Sequence, residues 1–157
     1  MAVDIGYEYA RNHEGFFASA ERILREAVYA SRQDLAMLRG QLAGEKPDAL
    51  HIWSAQQRHE PVPNISPRAQ MQIDAAEREY KGWVCAHEKI SELARSLHKP
   101  RTFSGLHGTV MGFAAEARAE NLYIAAAYFE GAAAWAAKRA SEQGDQVTGL
   151  EARATFD

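Results

Sequence analysis

The sequence predicts an all-α protein: an up-down bundle of three long helices, with short N-terminal and connector helices. Two observations carry this reading. Apolar residues recur every three or four positions over three long segments, which is helical spacing. The five prolines (Pro47, Pro61, Pro63, Pro67 and Pro100) all fall between those segments, where they punctuate helices without breaking them.

The first long segment runs from about Glu14 to Leu42, with Phe16, Ala20, Ile23, Ala27, Ser31, Leu35, Leu38 and Leu42 on one stripe. Gly44 followed by Pro47 stops it. Before it, Val3, Ile5, Tyr7 and Tyr9 alternate with polar residues or glycine, which is strand spacing. No second strand is present to pair with them, so this stretch is read as an extension of the first helix or a short helix bent at Gly15. Helix, strand and coil all stay open for residues 3–9. Between Gly44 and Pro67, the stretch PDALHIWSAQQRH suits a short connector helix with Leu50 and Trp53 facing inward.

The second long helix carries a clear start signal, Ser66 as N-cap and Pro67 at the first helical position. From there Ile73, Ala76, Tyr80, Trp83, His87, Ile90, Ala94 and Leu97 alternate spacings of three and four, and Pro100 ends the run. The third is expected to start between Ser104 and Thr109 and to continue to about Ser141. Val110, Ala114, Ala117, Asn121, Ile124, Tyr128, Gly131 and Trp135 mark one seam, and Met111, Ala115, Leu122 and Phe129 begin an adjacent one. Gly112, Ala115 and Ala119 read as a close-packing strip. Three helices with faces this wide call for a fourth, which a homodimer would supply. One domain over residues 1–144 is expected, with a flexible tail at 145–157.

The chain has 157 residues and a formal charge of −3, so composition exerts no global pull toward nucleic acid or acidic membranes. Cys85 is the only cysteine, which fits a reducing compartment, and the first twenty residues lack a basic n-region. A cytoplasmic protein without a membrane partner is expected. The most apolar run, Asn121 to Ala137, is short for a span, rich in alanine, and carries Glu130.

Motifs that carry chemistry are sparse. There is no HExxH, no GxSxG, no phosphate-binding GxxxxGK[ST] and no GxGxxG. Asp48 and His51 form a lone carboxylate–histidine pair at three-residue spacing, below what a metal site needs. No cofactor, no metal and no catalytic residue is expected. His87 and Asn121 sit on apolar seams and are candidate buried polar groups, each able to satisfy the other or to set helix register. Glu116 and Glu120 share a face that reads first as solvated, the alternative being a cation from Lys89, Arg95 or a partner.

These observations point first to a non-enzymatic interaction, adaptor or regulatory protein that binds a protein partner and self-associates as a homodimer. Tyr29, Trp53 and Tyr123 are candidate interface contacts, since aromatic residues dominate binding hot spots. The alternative is phosphate or nucleic-acid binding through residues 95–109. No acidic residue lies between Glu92 and Glu116, whereas Arg95, His98, Lys99, Arg101 and His107 do, with Gly105, Gly108 and Thr109 at the expected helix start.

Overall fold

The computed structural model describes residues 13–142, and these form five helices and no strand. In order they are α1 (His13–Leu42), α2 (Ala49–Gln57), α3 (Pro67–Arg95), α4 (Phe103–Ala119) and α5 (Tyr123–Glu142). The chain is all-α. The strand-spaced residues 3–9 and the tail 145–157 lie outside the described residues.

α1 and α3 pack side by side in opposite directions. Lys99, just past the end of α3, holds its ammonium 5.5 Å from the centre of the Phe17 ring near the start of α1. At the other end Arg39 pairs with the Glu77 carboxylate. The connector between the two helices is pinned where it leaves and where it returns. The Ser66 amide donates to the Glu45 carbonyl at 2.9 Å, and the Ser66 hydroxyl donates to Glu45 Oε1 at 2.9 Å. The same hydroxyl oxygen accepts from the Ala69 amide at 3.1 Å, so Ser66 caps α3 while closing the loop that carries α2.

The third long helix expected from periodicity is two helices. α4 ends at Ala119, and Asn121 takes a left-handed backbone with φ 61°. The Leu122 amide donates to the Ala117 carbonyl at 2.9 Å and the Asn121 amide to the Arg118 carbonyl at 3.0 Å. This paired arrangement terminates a helix through one left-handed residue, with Asn in the place usually taken by Gly. α5 then folds back on α4. Arg118 clamps Glu130 across the hairpin through two bonds of 2.8 and 2.6 Å. The helix that a homodimer was expected to supply is therefore present within the chain.

One apolar core joins all four long helices. Phe16 stacks on Trp135 with ring centres 5.6 Å apart, and Phe103 meets the same indole edge-on at 5.3 Å. Leu24, Ala86, Ile90, Leu106, Val110, Tyr128 and Phe129 fill the space between. No residue between Leu24 and Ala86 belongs to this fully buried cluster, although Trp83 and Cys85 pack against it. α1 spans about 45 Å and α5 about 30 Å, so the hairpin sheathes only one end of the α1–α3 pair. That end is the base. The arm is the rest: α1 from Val28 onward, the connector with α2, and α3 as far as Tyr80.

Candidate functional site

Exposed apolar side chains gather on the arm. Of nine large hydrophobic residues that stand exposed, six (Tyr29, Met37, Leu50, Trp53, Val62 and Met71) lie between positions 29 and 71. The arm's own buried layer is thin, formed by Ser31, Leu35, Ala55, Ala69 and Ile73. Met37 and Met71 lie two residues from buried Leu35 and Ile73. At 100° per residue they project away from the α1–α3 seam.

α2 differs most from its sequence reading. Leu50 and Trp53, expected to face inward, are 66% and 57% exposed, while Ala55 is buried and Ile52 half-buried. Leu50 and Trp53 are three apart and share the outer face, with Gln57 one turn on. This helix therefore shows apolar residues on two sides, and it is the one described helix with no Asp, Glu, Lys or Arg. It is held by its ends. Asp48 caps it, accepting from the His51 amide at 2.9 Å and lying 2.7 Å from His51 Nδ1. The capping bond from the His51 amide, helped by the imidazole, holds the Asp48 carboxyl below its usual range. The lone carboxylate–histidine pair of the sequence is thus a helix cap. Among the described residues no group of three or more His, Cys, Asp or Glu side chains could hold a metal ion.

The basic segment 95–109 divides on folding. Only residues 96–102 form a turn. Arg95 closes α3, while Gly105, His107, Gly108 and Thr109 lie inside α4, which begins earlier than expected. The amide of Gly105 is taken by the Thr102 hydroxyl at 3.0 Å, and Thr109 donates to the Gly105 carbonyl at 3.0 Å. No glycine loop is left to cradle an oxyanion. Leu97, expected to close the α3 seam, is 95% exposed because α3 stops two residues earlier. Gly112 has open space around it, and Ala115 and Ala119 are exposed, so the expected packing strip faces solvent.

The two polar seam candidates also move. Asn121 is exposed in the hairpin turn and accepts from the Tyr123 hydroxyl at 2.9 Å. His87 is half-buried. The α4–α5 turn instead borders two open clefts against α3. Ala75, Arg78, Glu79, Tyr123 and Ile124 line one, and Asp74, Glu77, Lys81 and Glu120 contribute to the other. Their mixed charges converge on no single ligand chemistry.

Ionisable groups near the base have structural partners. Lys89 meets Glu116 at 3.1 Å, and that bond raises the lysine pKa. Burial pushes the Cys85 thiol pKa up, reinforced by the Glu120 carboxylate, which favours the protonated thiol. The Arg118 clamp holds the Glu130 carboxyl below its ordinary range. None of these arrangements positions a nucleophile beside a base. No family model, curated protein or solved structure matches the chain.

Proposed function

We propose that this chain is a non-enzymatic helical interaction module that docks a protein partner through the arm, with α2 as the presented element. The observation that carries the reading is the outward pair Leu50 and Trp53 on a helix without charged residues. An exposed Trp–Leu face three residues apart is the kind of anchor that a short helix inserts into an apolar groove. Leaving it in water forgoes roughly 1.5–3 kcal/mol per side chain that burial would return. The base supplies a rigid mount, and the pinned connector holds α2 in position. Self-association, expected from sequence on the ground of a missing fourth helix, is tied here to the arm. A single cysteine fits a reducing compartment, which supports a cytoplasmic setting as part of this proposal.

The test is a comparison of the full chain with its Leu50→Ser/Trp53→Ser variant. Both are offered native lysate for capture, and both are weighed by sedimentation over a range of concentrations. Both residues are exposed, so the variant is expected to keep its helix content and melting temperature. The wild-type chain should retain a bound protein or a second copy that the variant loses. Identical captured species and identical mass for the two chains would refute the reading.

A further inference from the structure

We infer that the turn 96–102, at the base end of the molecule, is a contact for an anionic lipid surface. Leu97 reaches into the acyl boundary there, and the exposed Arg95 and Arg101 meet headgroup phosphates, while Lys99 stays over the Phe17 ring. This stands apart from the arm's role, since it uses the opposite end of the α1–α3 pair.

Three independent features converge on this turn. Leu97 is the most exposed large hydrophobic residue described, at 95%, and nothing in the fold needs it there. Among the described residues the turn is basic and its arginines have no carboxylate partner. Residues 93–115 contain no acid, and none of the side-chain ion pairs among the described residues involves Arg95, Lys99 or Arg101. The nearest carboxylate in sequence, Glu92, lies on α3 one turn before Arg95.

The turn is also prefolded. The Ser96 amide donates to the Leu93 carbonyl at 3.1 Å, the His98 amide to Ser96 Oγ at 3.0 Å, and Pro100 is buried. Little chain entropy remains to be lost on binding. Leu97, His98, Lys99, Pro100 and Arg101 line an open dent beside the protruding leucine.

The same bases could meet nucleic acid, but Leu97 decides against it. Single-stranded nucleic acid is held on exposed aromatic rings, and among the described residues the phenylalanines beside this turn, Phe17 and Phe103, are buried. An apolar tip flanked by exposed arginines is instead the pattern of interfacial anchoring. No helix among the described residues is long and apolar enough to cross a membrane, so the contact is peripheral.

Each basic group near an anionic surface strengthens binding about fivefold, and insertion of one leucine adds about tenfold. Two arginines and one leucine together strengthen association with an anionic surface by roughly 250-fold over an uncharged, tipless turn.

The experiment is co-sedimentation of the full chain with phosphatidylcholine vesicles, with and without phosphatidylserine, at low and high salt. Binding is expected only with phosphatidylserine, and it should fall with salt. Leu97→Ser should weaken it about tenfold, and Arg95→Gln/Arg101→Gln about 25-fold, without change in melting temperature. Equal binding to both vesicle types, or no loss in either variant, would overturn the inference. So would inorganic phosphate or a DNA oligonucleotide binding at this turn equally well in Leu97→Ser, which would assign it to free phosphate or nucleic acid.

Discussion

The base and the arm are built from the same two helices, yet they spend their apolar residues differently. In the base, α1 and α3 are sheathed by the α4–α5 hairpin, and Phe16, Leu24, Ile90, Tyr128 and Phe129 are all fully buried. In the arm, among the described residues, the same two helices are backed mainly by each other and the connector, with the α4–α5 turn reaching only the α3 stretch 74–81 across open clefts. There the buried layer shrinks to small residues with Leu35 and Ile73, while Met37, Met71, Leu50 and Trp53 face water. Stability is therefore concentrated at one end and presentable apolar surface at the other.

The largest expected effect tests the base. Phe16→Ala removes the ring stacked on Trp135 and should cost about 3–5 kcal/mol, measured by urea denaturation. Leu35→Ala in the arm should cost about 2–3 kcal/mol, and Met37→Ala close to nothing. Equal costs for Phe16→Ala and Met37→Ala would erase the distinction between the two regions.

Two glycines sharpen it next. Gly82 of α3 lies against Ile124 of α5, and a Cβ there would collide with the isoleucine Cγ2. Gly40 of α1, in the arm, has nothing within 4 Å. Gly82→Ala should destabilise by about 1–2 kcal/mol, because overpacking outweighs the gain in helix propensity. Gly40→Ala should stabilise by about 0.5–1 kcal/mol. The opposite signs can be read from paired melting curves.

Smaller effects follow from ionisation. The Glu130 carboxyl has a lowered pKa through Arg118, so its contribution is present above the ordinary carboxylate range. It is lost as pH falls through that lowered value. Both groups are largely solvent-exposed, so the loss should be modest and screened by salt, and Glu130→Gln should flatten the acid limb of a stability–pH profile. Cys85, with its raised pKa, should react with a thiol reagent at pH 8 several-fold more slowly than in the unfolded chain. A titration of labelling rate against urea checks this.

Much of the helix content was legible in the sequence because periodicity and caps report local physics. Ser66–Pro67 marked the start of α3 correctly, and Gly44–Pro47 the stop after α1. The break at Asn121 was not legible. Apolar spacing continues through it from Ala117 to Ile124, and the left-handed residue is Asn in place of Gly. That one misread turned a hairpin into a single helix, placed Asn121 on a buried seam, and removed the fourth helix from the bundle. The outward face of α2 was hidden for a related reason. A short helix with apolar residues on two sides has no unique inward direction until its neighbours are known. Leu97 kept the seam's spacing but lies beyond the last helical residue, so periodicity alone could not assign its exposure.

The most direct test of the division between base and arm is native-state hydrogen exchange resolved by segment. Amides of α5 between Ala125 and Ala140 should exchange only through global unfolding. Those of α2 should exchange through local opening, at least about a hundredfold faster, as expected of an element with few buried contacts. Protection of α2 equal to that of α5 in the free chain would show that the arm is part of the same cooperative core, and would contradict the account.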